Sequence, residues 1–201
     1  MKFKHLSLAF AALLAVAGIA GLSFTNAPET YKVDVAASKV EWKAYKVTGQ
    51  HFGTVNLKSG SLAFTNGALS GGSFEMDMTS IKVKDIEGEW AGKLEGHLKS
   101  DDFFSVEKHP AASFVITKVA SRGTPGAYRV TGNLSIKGIT KEIKLDATVT
   151  TEGNKANAQA AFKVDRTNYD IQYRSGNFFE NLGDKTIYDE FDLNVTLVAG
   201  K

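Results

Sequence analysis

Residues 129–150 read RVTGNLSIKGITKEIKLDATVT, and this stretch indicates the fold class of the chain. Val130, Leu134 and Ile136 share one side of the alternation before Gly138, and a second alternating run follows that glycine. Apolar and polar residues that alternate on both sides of a short glycine-containing turn predict an antiparallel β-hairpin with one apolar face. The same alternation recurs in the following segments: residues 31–35, 40–44, 74–78, 158–164 and 191–197.

From residue 28 onward the sequence predicts about eight or nine strands and one short helix. The helix is expected at residues 87–99, where Trp90, Leu94 and Leu98 recur at every fourth position. One short helix cannot cover the apolar faces of so many strands, so the sheet has to cover itself, as a sandwich or as a closed barrel. Small residues on the apolar faces, such as Ala160, would leave room for a ligand inside a barrel.

The N-terminal residues have the composition of a secretory signal peptide. Two lysines near the start precede an apolar run that ends in small residues. This order predicts a signal peptide at residues 1–20, with cleavage at its end or as late as Ala27. An uncleaved membrane anchor is the alternative. We therefore expect a mature domain at residues 28–201 that is periplasmic or secreted.

Charge and composition argue against several classes of function. The formal net charge is +2, and Lys2 and Lys4 in the predicted signal peptide account for the excess, so the mature domain is balanced. A balanced domain lacks the net positive field of a nucleic-acid-binding protein. The chain contains no cysteine, which excludes disulfides and thiolate chemistry.

The sequence contains no motif for catalysis or for a resident metal. His51, His97 and His109 lack the spacing of metal ligands, and no serine lies in a nucleophile motif. We therefore predict a protein that is not an enzyme, with no catalytic residue, no metal and no cofactor.

Three segments agree, in order and in residue type, with a known family. Residues 96–104 read GHLKSDDFF, residues 128–141 read YRVTGNLSIKGITK, and residues 165–167 read DRT. From about Tyr31 onward the chain resembles the YceI-like family of polyisoprenoid-binding proteins. This resemblance implies an all-β fold, an extended antiparallel eight-stranded lipocalin-like barrel with one short helix between strands, whose interior holds a lipid.

The resemblance implies that the ligand is a polyisoprenoid, either a quinone or a prenyl phosphate, or another amphiphilic lipid. We expect the ligand to contact the following residues in the apolar cavity and at its mouth: Trp42, Phe52, Phe74, Met76, Phe104, Phe114, Leu134, Ile136, Leu145, Phe162, Phe178 and Phe179. Arg166 and Arg174 are expected to bind the head group, because a guanidinium suits phosphate or quinone oxygens.

Residues 173–184 are predicted to form a lid over the barrel mouth. This segment contains too few apolar residues to pack by itself, so its aromatic rings need another surface. We expect Phe178 or Phe179 to contact the lipid, and a plug of the rim without ligand contact is the alternative.

Other functions remain open from the sequence. Alternating strands also suit a small outer-membrane barrel, and an enzyme that acts on an isoprenoid is a further alternative. The expected partner is an isoprenoid or another amphiphilic lipid, with only transient membrane contact and no nucleic acid. The oligomeric state is open, a homodimer included.

Overall fold

The computed structural model describes residues 27–201, and the predicted signal peptide, residues 1–20, lies outside them. The strands are β1 (Glu29–Val33), β2 (Lys39–Lys46), β3 (Gly49–Thr65), β4 (Ala68–Val83), β5 (Ala111–Ser121), β6 (Ala127–Ile136), β7 (Ile139–Glu152), β8 (Lys155–Asp165) and β9 (Ile187–Gly200). The helix α1 (Gly88–Lys99) lies between β4 and β5, and short 3₁₀ helices at Arg166–Tyr169 and Gly183–Lys185 lie between β8 and β9. No helix in residues 27–201 is both long enough and apolar enough to cross a membrane.

Strands β2 to β9 form a closed antiparallel barrel. Each of these strands pairs with the next along the chain, and β9 pairs back with β2, where Val195 lies opposite Val40. β1 continues the line of β2 at one end of the barrel, because it pairs with the same two neighbours, β3 and β9. The predicted eight-stranded lipocalin-like barrel with one short helix is therefore confirmed.

The hairpin predicted at residues 129–150 is formed by β6 and β7. Ile136 and Ile139 pair across a two-residue turn, in which Lys137 and Gly138 both have positive φ angles, of 51° and 76°. Two successive positive φ angles are the mark of a type I′ turn, whose twist matches that of the strands it joins. The turn therefore fixes the register that directs the apolar side chains of both strands inwards.

The two ends of the barrel differ. The end that carries β1 is called the far end, and there the rings of Tyr31 and Phe64 are buried with their centroids 4.9 Å apart. The opposite end is called the helical end, because it carries α1 and the long connection between β8 and β9. Tyr169 and Ile171 of that connection are almost completely buried.

Gly132 in β6 lies directly beneath an aromatic ring of the neighbouring strand. A Cβ atom at this position would lie 2.4 Å from Cζ of Phe114 and 2.7 Å from the carbonyl oxygen of Val115. Both distances are shorter than a van der Waals contact, so only glycine lets the ring of Phe114 rest on the backbone of β6.

Replacing Gly132 with alanine is expected to lower the free energy of unfolding by about 1–3 kcal/mol, because the added methyl group would displace a packed ring and the β5 backbone. Gly92 in α1 provides the control, since a Cβ atom there would meet nothing within 4 Å. Alanine at Gly92 should raise the free energy of unfolding by up to about 1 kcal/mol, because alanine favours the helix. Urea denaturation measures both changes. Equal losses of unfolding free energy in the two variants would contradict the packing described for Gly132.

Candidate binding cavity

The barrel encloses two apolar cavities, each of about 110 Å³. The outer cavity lies towards the helical end, where Phe103 and Ile171 form part of its wall. The inner cavity lies towards the far end and reaches Leu62 and Leu69. The walls of both cavities are made almost entirely of apolar side chains.

The two cavities meet at a ring of four side chains that line both of them: Val40, Met76, Leu134 and Leu193. These residues belong to β2, β4, β6 and β9, which are distributed around the barrel wall. An apolar cavity of about 150 Å³ holds a benzene molecule, so each of these cavities suits a group of about five or six carbon atoms. Because the two cavities lie end to end, they suit a slim apolar chain better than a broad ring system.

Most of the apolar residues predicted for the site lie in these walls. The outer cavity contains Trp42, Phe104 and Ile136, the inner cavity contains Phe74, Phe114, Leu145 and Phe162, and both contain Met76 and Leu134. Alternation in the sequence brings them together, because the inward residues of all strands meet in the interior of a closed barrel. Their contact with a lipid remains a prediction.

Phe52, Phe178 and Phe179 lie outside both cavity walls, and each is about half exposed. Phe52 pairs with Lys43 on the outer face of the barrel, because its neighbour in β3 is the residue that faces inwards. Phe178 and Phe179 lie in a turn in which both backbone N–H groups donate to the carbonyl oxygen of Ser175. The cavity is therefore lined without them, and a lid role for their segment remains a prediction.

The wall of the outer cavity also contains residues that were not predicted for the site. Ile171 and Tyr188 belong to the connection between β8 and β9 and to the start of β9. Ile171 alternates with Tyr169 and Tyr173 around two polar residues, and Tyr188 is an aromatic residue beside a non-strand segment, so the sequence carries a weak signal for both. Phe191 and Leu193 follow the alternation of β9, and the same pattern could have identified both.

Arg166 is the one charged residue in the cavity walls formed by residues 27–201, and its side chain is only 5% exposed. Its guanidinium donates to the following acceptors: the carbonyl oxygens of Ile171 (2.7 Å), Ile187 (3.0 Å) and Tyr188 (3.1 Å), and the carboxylate of Asp189 (3.2 Å). Burial lowers the pKa of Arg166, and the charge of Asp189 opposes this shift. An arginine side chain stays charged even when it is buried. Its buried positive charge therefore requires these hydrogen-bond acceptors.

These four contacts occupy four of the five N–H groups of the Arg166 guanidinium. The side chain therefore links the connection after β8 to the start of β9. One N–H group of Arg166 is left for a head group, and this role remains a prediction. Arg174 lies outside the walls, half-buried, with its guanidinium 5.1 Å from the ring centre of Tyr173. Nowhere in residues 27–201 do three histidine, aspartate or glutamate side chains lie close enough to hold a metal ion.

A closed antiparallel barrel with a tightly packed far end and an apolar interior defines the lipocalin-like class of β-barrel. Within that class, the sequence model of the YceI-like domain matches residues 31–199. The chain therefore belongs to the YceI-like family, as its resemblance in sequence indicated.

Relatives in several bacteria share part of the sequence. A UPF0312 protein of Pectobacterium atrosepticum is 31% identical over 134 residues, which cover 66% of this chain and 65% of that protein. A UPF0312 protein of Shewanella denitrificans is 36% identical over 101 residues, which cover 50% of each chain. The matched part of the chain thus spans between half and just under two thirds of these relatives.

Solved structures share the fold. BcnA of Burkholderia cenocepacia has a TM-score of 0.67 and 22% identity, over 83% of this chain and 99% of that one. A domain from Saccharophagus degradans has a TM-score of 0.60 and 14% identity, over 85% of this chain and 97% of that one. The latter is described as a polyisoprenoid binding domain implicated in plant cell wall breakdown. At these identities the likeness establishes the barrel fold alone.

Replacing Arg166 with methionine is expected to lower the free energy of unfolding by about 3–5 kcal/mol, because the buried acceptors around it would lose their donor. Replacing Arg174 with methionine provides the control and should cost less than about 1 kcal/mol, since its contact with Tyr173 is partly exposed. Urea denaturation measures both changes. An R166M variant as stable as the wild type, with weaker binding of a prenyl phosphate, would contradict the structural role and favour the head-group role.

Proposed function

We propose that this protein binds an apolar lipid, most specifically a polyisoprenoid, inside its barrel and carries or stores it in the periplasm. The observation that carries this proposal is the pair of adjoining cavities, because shared wall residues link their apolar surfaces from the helical end to Leu62 and Leu69. A prenyl chain is a series of five-carbon units, and each cavity has the volume for a group of about that size.

The energetics favour binding of the tail. Removing apolar surface from water stabilises a complex by about 25 cal/mol for each Å², so a chain that leaves water for these walls gains more with every added carbon. The walls offer few polar groups to recognise a head group, since the guanidinium of Arg166 already bonds to backbone and Asp189. The tail therefore supplies the affinity, and the head group lies at or beyond the helical end.

Binding is favoured over catalysis by the chemistry of the walls. Among the cavity-lining residues of the part 27–201, Arg166 is the one charged group, and neither a nucleophile nor a pair of carboxylates stands beside the apolar surface. Most catalysis requires groups that transfer protons or form bonds to the substrate. An enzyme acting on an isoprenoid has no comparable observation in its favour.

The outer wall favours a ligand inside the barrel over a barrel inside a bilayer. Ion pairs lie on this wall between Lys58 and Glu75 and between Lys163 and Glu190, with side chains that are largely exposed. A barrel that spans a membrane has the opposite arrangement, with an apolar outer band and a polar interior. The proposed periplasmic location is supported by the signal peptide predicted at residues 1–20.

The proposed function predicts that filling the inner cavity weakens binding. Ala160 lines the inner cavity, and the adjacent Ala161 is exposed on the outer face of β8. Replacing Ala160 with phenylalanine should weaken the binding of farnesol, a fifteen-carbon isoprenoid alcohol, by about tenfold or more, because the ring occupies the space of the chain. Replacing Ala161 with phenylalanine adds the same ring outside and should change the affinity by less than about twofold.

Tryptophan fluorescence can measure this binding without a label. Of the two tryptophans, Trp42 lines the outer cavity and Trp90 is 71% exposed, so a Trp90→Phe background leaves the reporter inside the site. Circular dichroism checks that each variant retains the β-barrel spectrum. Wild-type affinity in a folded A160F variant would place farnesol elsewhere and remove the basis of the proposed function.

A further inference from the structure

One residue in the wall of the outer cavity is exposed at the surface of the protein. Tyr188 lines this cavity and is 53% exposed, whereas the other residues of the same wall are buried or half-buried. Tyr188 therefore borders both the cavity and the solvent. This position is on the side of the barrel, at the beginning of β9.

The pairing of strands is interrupted at the same place. Ala44 of β2 lies opposite Phe191 of β9, but the next pair is Lys46 with Ile187, so Tyr45 alone faces three residues of β9. On the other side, the pairing of β9 with β8 begins only at Glu190. Residues 187–189 therefore have one backbone-paired position on β2 and none on β8, so the strand pairing is interrupted at this place.

The side chain of Arg166 provides hydrogen-bond donors to this part of β9, which lacks a complete strand partner. It donates to the carbonyl oxygens of Ile187 and Tyr188 and to the carboxylate of Asp189, which are three successive residues of the unpaired stretch. The same guanidinium donates to Ile171 in the connection that covers the helical end. The buried side chain of Arg166 thus holds the start of β9 and the connection that covers the helical end.

We propose that the gap between β2 and β9 at Tyr188 is the entrance through which the ligand reaches the cavity, with Arg166 as the latch that holds residues 187–189 in place. The inference rests on the proposed function, since an entrance requires a ligand. Opening needs the loss of the pairing of Ile187 with Lys46 and of the Arg166 contacts. It also breaks the hydrogen bonds from the Ile187 N–H to the carbonyl oxygen of Arg174 and from the Asn177 amide to the Asp189 carboxylate. The pairings of the remaining strands stay intact. Local openings of this kind cost less than global unfolding.

The two ends of the barrel are more tightly packed. At the far end, Tyr31 and Phe64 are buried, and their rings contact each other with centroids 4.9 Å apart. At the helical end, Tyr169 and Ile171 are each 1% exposed, so the connection above the cavity presents a dense layer. Entry beside the exposed Tyr188 therefore disrupts less packing than entry through either end.

A disulfide can lock this entrance, because the chain has no cysteine of its own. Lys46 and Ile187 lie directly opposite each other, and the Cα atoms of such antiparallel pairs are about 4.5–5.5 Å apart, within the range of a disulfide. The double variant Lys46→Cys with Ile187→Cys forms the lock. Lys39→Cys with Thr196→Cys joins the same two strands near the far end and provides the control.

Stopped-flow fluorescence of Trp42 with farnesol, in the Trp90→Phe background, gives the association and dissociation rates. Compared with its reduced form, the oxidised entrance lock should show both rates lower by about tenfold or more. The dissociation constants of the two forms should agree within about threefold, because a gate changes rates without changing the bound state. Reduction of the disulfide should restore both rates. The oxidised control lock should exchange farnesol at the rate of its reduced form.

Unchanged rates in the oxidised entrance lock would overturn the entrance, provided that the unlocked protein binds farnesol. Absence of farnesol binding in the unlocked protein would instead overturn the proposed function itself. If the cysteines do not pair, a substitution at the half-exposed Tyr188 decides the question. Tyr188→Ala should speed both rates, and wild-type rates in this variant would overturn the proposal.

Discussion

The pairing of β9 with β2 closes the sheet, and the cavity and its entrance both depend on this closure. A closed sheet turns one face of every strand towards the same interior, so the apolar faces cover one another without a second layer. At eight strands the interior is just wide enough to be filled by side chains or to retain space for one small ligand. In this barrel some space remains, because small residues on adjacent strands, such as Ala147 and Ala160, leave part of the inner cavity open.

Closure also determines how polar groups are used. Strands of unequal length meet at the helical end, where the start of β9 extends beyond its partner β8 and leaves backbone carbonyl oxygens without a ladder. Arg166 satisfies these acceptors, so the one charged side chain in the described cavity walls serves the wall itself. An interior of this kind recognises a ligand by the shape and apolar area of its chain. Discrimination between head groups then falls to residues outside the cavity.

Alternation in the sequence was sufficient to predict the strands and most of the cavity wall, because inward and outward residues of a strand are separated by a period of two. Alternation left a sandwich and a barrel open, and the resemblance to the YceI-like family indicated the barrel. Alternation failed for Phe52, whose inward neighbour in β3 is Gly53 and therefore gives no apolar signal for the facing of the strand. The role of Arg166 could not be read from the sequence, since two of its acceptors lie 21 and 22 residues further along the chain. The exposure of Tyr188 could not be read from the sequence either, because it depends on where the neighbouring strand β8 ends.

The central claim is that the interior of the barrel holds an isoprenoid chain. Native mass spectrometry of the full-length protein, expressed in a bacterium and purified without detergent, tests this claim most directly. We predict a population of molecules that carries one lipid per chain, that loses this mass on extraction with organic solvent, and whose extracted lipid fragments at five-carbon intervals. A protein that carries no lipid under these conditions, and that acquires none from a bacterial lipid extract, would contradict the account.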